Sequence, residues 1–253
     1  MSQTQTNYSL IVGANQGIGL GFVKKLLEPN QNRQIYATYR RQETAGELIE
    51  LSRKYPDRLT CLPMDITEEG NIVAGLEAMQ NQTDRLHYVV NCVGILHEGT
   101  VTPEKSLRQI DAQQLLRYFQ VNSIGSALLA KHLLPFFRHG DRSIFASISA
   151  KIGSIGDNRL GGWYGYRASK AALNMLMRTA SIEYRRKSPK TIVVTLHPGT
   201  TDTRLSKPFQ RNVPPEKLFS IERTVTQLYN VLENLDERDS GEFFSWDGSR
   251  LPW

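Results

Sequence analysis

The chain has 253 residues, 40% hydrophobic and 22% charged, which suits one large globular domain or two small ones, and no apolar run approaches the roughly 20 residues of a membrane span. Its net charge of +6 could serve nucleic acid, but the basic residues are scattered through "RYFQ", "RHGDR" and "EYRRKSPK" as helix ends and turns, so neither a nucleic-acid nor a membrane partner is expected. A modest positive field also suits an anionic cofactor.

The opening "MSQTQTNYSLIVGANQG" has no basic region ahead of an apolar stretch, which argues against a secretory leader. "SLIV" (9–12) reads as a strand, followed by a helix over 17–27 that Pro29 closes. "QIYATY" (34–39) is a second strand and "ETAGELIELSRKY" a helix; "LTCLPM" (59–64) is a third strand, with a helix over 68–80. "LHYVVNCVG" (86–94) is a fourth strand, and a long helical pattern covers about 111–138. "RSIFASIS" (142–149) is a fifth strand, 166–187 a helix, "TIVVTLH" (191–197) a sixth strand, 221–235 a last helix and "GEFFSW" (241–246) a last strand. Strands that are continuous apolar runs and alternate with helices predict a parallel sheet covered on both faces. No repeat or linker divides the chain, so a single domain over 1–253 is expected, with long loops at about 94–110 and 198–220. Cys61 and Cys92 lie in strand-like stretches and read as reduced core thiols, which places the protein in the cytoplasm. His87, His97, His132, His139 and His197 show no ligand spacing, so no metal site is expected.

The first strand runs directly into "GANQGIG", with glycines at 13, 17 and 19 where a helix begins. A glycine-rich turn there lets backbone amides approach a pyrophosphate, and the helix N-terminus adds partial positive charge. The expected contacts are Gly13, Asn15, Gln16, Gly17, Ile18 and Gly19. The end of the second strand chooses between dinucleotides: a carboxylate suits a free ribose 2′-hydroxyl, an arginine a 2′-phosphate. Here the chain reads "ATYRRQE", and Arg40 and Arg41 favour NADP(H), with NAD(H) as the alternative.

Tyr166 and Lys170 in "YRASK" are four apart and share a helix face. A free phenol has a pKa of about 10, and a neighbouring ammonium is expected to make it more acidic and able to exchange a proton. Tyr164 has Ala168 at the corresponding place, so it reads, with Trp163, as pocket wall or packing.

Taken together, "GANQGIG", "NCVG" (91–94), Asn122 in "QVNSIGS", "YRASK" and "HPGTTDT" (197–203) resemble the short-chain dehydrogenase/reductase family, in its usual order and over essentially the whole chain. "KIGSIGDNRLGGWYGYRASKAALNM" and "FFSWDGSRLPW" are similar to the branch of C-factor and sniffer-type carbonyl reductases. The resemblance implies an α/β doubly wound Rossmann fold with a seven-stranded, mostly parallel sheet and helices on both faces. It implies that Asp65, with Ile66 beside it, contacts the adenine, although Asp65 could instead cap the next helix. It places Asn91 and Gly94 beside the cofactor, and Pro198, Gly199, Thr201 and Thr203 in a loop over the nicotinamide. Asn122, Tyr166 and Lys170 match catalytic positions, Asn122 as the holder of a water that resupplies the proton. Family members are commonly homodimers or homotetramers through the helices at about 111–138 and 166–187.

One position departs from the pattern. The family's carbonyl-orienting serine stands three residues before a glycine, and in "SISAKIG" that place is Ala150. Ser149, re-aimed by a strand-end bulge, is the expected substitute, with Ser154 next and no serine at all as the third alternative. The function expected is NADP-dependent reduction of a small carbonyl substrate, or the reverse oxidation of an alcohol. The alternative is a dinucleotide-binding signalling or regulatory protein with little turnover.

Overall fold

Seven strands form one sheet in the order β3-β2-β1-β4-β5-β6-β9, and every pair is parallel. The computed structural model describes residues 6–29 and 32–253; the first five residues, on which the reading of a leader partly rests, lie outside it. The strands are β1 (Asn7–Val12), β2 (Arg33–Tyr39), β3 (Leu59–Pro63), β4 (Tyr88–Asn91), β5 (Ser143–Ile148), β6 (Thr191–His197) and β9 (Phe243–Ser245). A two-residue pair, β7 (Thr200–Thr201) with β8 (Leu218–Phe219), pins the two ends of the loop after β6 together. The helices are α1 (Gly17–Leu26), α2 (Gly46–Lys54), α3 (Glu69–Gln80), α4 (Ala112–Phe119), α5 (Gly125–Leu133), α6 (Tyr164–Lys187) and α7 (Ile221–Glu233).

Alternation along each strand divides the core into two layers. Ile11, Ile144, Ala146, Ile192 and Val194 face α1, α2 and α7, which contribute Phe22, Leu48 and Leu228. Leu10, Val12, Phe145 and Val193 face α3, α5 and α6, which contribute Leu76, Leu133, Leu173 and Met177. Both faces of the sheet are therefore buried, as its uninterrupted apolar strands require. The chain leaves β3 at one edge and returns to pair β4 with β1, so the loops after β1 and β4 diverge at the carboxyl ends of the strands. A crevice at that place is the usual ligand site of an open α/β sheet.

The pattern over 111–138 is not one helix. It is α4, a π-helical turn over Gln120–Ile124, α5 and a 3-10 turn over Leu134–Phe137. The inserted π turn rotates the following residues about the axis, and such turns occur mostly at functional sites. Here it carries Asn122.

Candidate active site

The loops at the carboxyl ends of β1 to β6 enclose a cleft of about 1250 Å³. At one end it meets the turn between β1 and α1. Gly13 and Gly17 have φ of 76° and 58°, conformations that side chains rarely adopt, and Gly19 packs against the Gly13 carbonyl with no room for a Cβ. Asn15, Gln16 and Ile18 line the same end; the Asn15 side-chain amide donates to Thr44 Oγ1 at 3.2 Å. Arg40, Arg41, Asp65 and Ile66 line the next stretch, then Gly94, Tyr166 and Lys170, with Pro198, Gly199, Thr201 and Thr203 opposite. Asp65 serves both readings: Oδ1 accepts the Thr67 N–H at 2.9 Å and its hydroxyl at 2.7 Å, closing the turn before α3, while the residue lines the cleft. Asn91 is not on the cleft wall. It lies behind the cleft, donating to Ser126 Oγ at 2.8 Å and accepting the Val93 N–H at 3.1 Å, and so orders the strand exit.

Lys170 is almost fully buried at 3% exposure, and its Nζ donates to Ile148 O at 2.9 Å. A Cβ on Gly94 would stand 3.2 Å from that Nζ and 3.3 Å from Asn122 Oδ1, so a side chain there would crowd both groups. Asn122 accepts the Ile95 N–H at 2.7 Å and donates to Ile95 O at 2.9 Å and to Ser169 Oγ at 3.0 Å. The amide thus locks the loop after β4 to α6. Tyr166 lies one turn before Lys170, its ring centroid 5.9 Å from Nζ. Burial pushes the Tyr166 phenol up and pulls Lys170 down to about 8. In the protein alone, desolvation of both groups sets these directions, each favouring its uncharged form. The phenol is protonated at neutral pH, the form a proton donor needs. His197, also on the cleft wall, is held by burial down to about 4 and is neutral there.

The expected re-aiming of Ser149 is absent. The β5–β6 ladder stays regular through Ser149, whose N–H donates to Leu196 O at 2.7 Å. Its hydroxyl donates to Asn174 Oδ1 at 2.7 Å. Asn174 follows Tyr166 by eight residues on α6, about 12 Å along the axis. Ala150, by contrast, packs in the apolar cluster that holds Tyr166, and Ser154 Oγ is turned to the Asp157 N–H at 3.1 Å.

Two details of the site were not visible in the sequence: the backbone that sets the expected Trp163 wall, and a buried carboxylate. Gly161, Gly162 and Trp163 all have positive φ, and Trp163 is the one non-glycine residue among those described to do so, at 52°. This left-handed run sets the Trp163 ring 5.0 Å from Phe209 and 6.3 Å from Tyr166, forming an aromatic wall. Arg167 holds it by donating to Gly162 O at 2.9 Å and Gly161 O at 3.1 Å. The second is Glu104, 2% exposed, from the loop after β4. Its carboxylate accepts the Gly165 N–H at 3.1 Å and its carbonyl the Trp163 N–H at 2.5 Å, so it caps α6 from outside.

At the opposite end of the sheet, the fold joins ligand-type groups whose spacing gave no sign of it: atoms of His87, His139 and Asp141 lie within 4.8 Å of one another. The Tyr8 N–H donates to His87 Nδ1 at 3.1 Å, which puts the neutral ring's proton on Nε2, the atom facing Asp141. A metal there would have to displace that proton. Cys61 and Cys92 are unpaired thiols, both pushed up by burial. No described helix is long and apolar enough to cross a membrane.

Residues 7–214 match the family model described as short chain dehydrogenase. The chain belongs to that family. Among its relatives, the benzil reductase ((S)-benzoin forming) of Saccharomyces cerevisiae is 31% identical over 236 residues, covering 90% of this chain and 85% of that protein. The C-signal of Myxococcus xanthus is 32% identical over 148 residues, covering 58% of this chain and 84% of C-signal. Among solved structures, the NADPH-bound carbonyl reductase from chicken fatty liver has a TM-score of 0.85 and 28% identity, covering 99% of this chain and 96% of that one. The carbonyl reductase Sniffer of D. melanogaster has a TM-score of 0.83 and 27% identity, covering 98% and 100%. As a short-chain dehydrogenase, this protein is an oxidoreductase dependent on a nicotinamide dinucleotide.

Two outcomes follow from the site. Glu104→Ala leaves the buried Gly165 N–H unpaired at a cost of about 1–3 kcal/mol, and is expected to lower Tm by several degrees and kcat with it. Glu104→Gln keeps the acceptor and should recover most of both, as read by thermal melts and initial rates. Lys170 carries its charge below a pKa of about 8 and loses it as pH rises through that value. kcat/KM for the dinucleotide, which reports the free protein, is expected to fall above about pH 8, and a value that stays flat to about pH 10 would show that this ammonium is not needed.

Proposed function

We propose that this protein is an NADPH-dependent carbonyl reductase acting on small aldehydes or ketones with an apolar or aromatic substituent. The observation that carries the reading is Lys170, buried at the floor of the cleft with Tyr166 one turn before it and the glycine turn at the far end. The residues fit a dinucleotide: the positive-φ glycines leave a cradle free of side chains, and two arginines stand where a 2′-phosphate belongs. NADP(H) is the cofactor, and when bound it supplies the hydride.

The remaining work falls to side chains. Tyr166, kept protonated by burial, donates its hydroxyl proton to the carbonyl oxygen as that oxygen gains charge. Lys170 holds a positive charge near the phenol and stabilises the phenolate that remains. Asn122 holds the loop after β4 against Ser169, which keeps Tyr166 and Lys170 in place, and resupply of the proton through a water beside it fits the same position. Trp163, Phe209 and Ile152 present an apolar wall and exclude water. We assign the pyrophosphate to Gly13, Asn15, Gln16, Gly17, Ile18 and Gly19, the phosphate to Arg40 and Arg41, and the nicotinamide loop to Pro198, Gly199, Thr201 and Thr203. One domain over 1–253 in the cytoplasm fits this reading. Leu116 on α4 and Met175 and Ile182 on α6 are exposed apolar side chains that favour a homodimer or homotetramer through those helices.

A second reading, a dinucleotide-binding regulatory protein with little turnover, is favoured by one feature. Ala150 supplies no hydroxyl to orient the carbonyl, and Ser149 is committed to Asn174. NADPH oxidation across a panel of aldehydes and ketones separates the two readings.

Tyr166→Phe keeps the ring and removes the proton. It is expected to lower kcat by roughly 10²–10⁴-fold with NADPH binding retained, and near-normal kcat would remove Tyr166 from the acid role. Ala150→Ser restores one hydrogen-bond donor beside Tyr166 and should raise kcat by about tenfold in steady-state assays. No gain, or a loss, would show that the carbonyl is oriented by other groups.

A further inference from the structure

Arg40 leaves the end of β2 and reaches over the end of β1 to Glu98 in the loop after β4, with Nη2 2.7 Å from Oε1. The other carboxylate oxygen belongs to Arg117 of α4, which places Nη2 at 2.7 Å and Nε at 3.2 Å from Oε2. Glu98 therefore gives one oxygen to each arginine. Its position is fixed by a tight turn in which Glu98 and Val101 exchange N–H···O bonds of 3.1 and 3.0 Å around Gly99, whose φ is 60°. Arg117 is anchored in turn, donating to Gln120 Oε1 at 3.1 Å in the π turn. Burial alone would raise the Glu98 carboxyl, but the two guanidiniums override it and hold it below the usual carboxylate range, so it is an anion at neutral pH.

We propose that Glu98 is a specificity-determining residue of the cofactor site: an internal anion that occupies Arg40 and is displaced from it by the 2′-phosphate of NADP(H). The proposal rests on the assignment of Arg40 to that phosphate. When Arg40 turns to a phosphate, Glu98 keeps Arg117, so the exchange leaves no charge unpaired. The carboxylate nonetheless repels the incoming dianion and competes for its partner. A dinucleotide without the 2′-phosphate makes no such demand, and for it the Arg40–Glu98 pair stays closed. Glu98 thus narrows the preference for NADPH over NADH that the arginines create. The adjoining His97 places Nε2 3.1 Å from Arg204 O and packs its ring 6.0 Å from Phe209, so release of Arg40 loosens one tie on a turn that also touches the substrate loop.

The test is direct binding of NADPH and of NADH to the full chain and to Glu98→Gln, Arg40→Ala and the double variant, with a thermal melt of each. A partly exposed pair is worth about 0.2–1 kcal/mol, so Glu98→Gln is expected to tighten NADPH by up to about fivefold and to leave NADH within about twofold. In the Arg40→Ala background that gain should disappear. Arg117→Gln frees Glu98 from its second partner and should weaken NADPH selectively, the opposite sign, which keeps the proposal testable if Glu98→Gln is poorly folded. If Glu98→Gln weakens NADPH, or shifts both dinucleotides alike, the proposal is overturned and Glu98 serves only to hold Arg40 or the turn. If Arg40→Ala leaves NADPH binding unchanged, the phosphate assignment itself is wrong, a failure distinct from the first.

Discussion

The site depends on a lysine ammonium kept out of water. A buried cation is costly unless hydrogen bonds replace its solvation, and Lys170 has one backbone carbonyl, Ile148 O, to offset that cost within the protein. The depression of its pKa to about 8 measures the imbalance. Much of the local architecture follows from making room for this one group. Glycine at 94 spares Nζ a tight contact, and position 153 has to be glycine because a Cβ would stand 2.8 Å from Lys170 Cβ. The strand end of β5 has to stop where its last carbonyl can face α6.

The same constraint explains the π turn between α4 and α5. A continuous α-helix would carry one residue fewer past the loop after β4 and would turn Asn122 away from Ile95. The extra residue lets one amide satisfy both backbone groups of Ile95 and also reach Ser169 on α6. Such a fully satisfied buried amide is rigid, because breaking any contact leaves a desolvated polar group. The loop after β4, α4 and α6 are thereby fastened at one point beside Tyr166 and Lys170.

Electrostatics divide the cleft into two ends of different character. At the end that holds Tyr166 and Lys170, burial sets the protonation states: a neutral phenol, a neutral His197 and a lysine whose charge is weakly held. At the end that holds Arg40, paired charges decide, since Arg40, Glu98 and Arg117 form a chain of ion pairs. The first end suits proton transfer in a desolvated pocket, and the second suits recognition of an anion near water. At Ala150 the cleft lacks a hydroxyl that the family pattern supplies, and the regular β5–β6 ladder leaves the neighbouring Ser149, which also lines the cleft, bonded to Asn174.

Sequence alone determined what depends on short spacings. The seven strands and most helices were readable because a buried parallel strand is an uninterrupted apolar run and a helix repeats every 3.6 residues. The glycine turn, the arginine pair after β2 and the Tyr166–Lys170 face were readable because each is a local pattern within seven residues. Only the tertiary structure decided the rest. The break at Gln120 is invisible to periodicity, since an inserted π residue keeps the segment helical. Asn174, Arg40 and Gly165 lie 25, 58 and 61 residues from their partners Ser149, Glu98 and Glu104, and no local pattern announces these pairs. Protonation also waited on the fold: the spacing of Tyr166 and Lys170 says that they are neighbours, but whether attraction or desolvation sets their pKa depends on how completely other segments cover them.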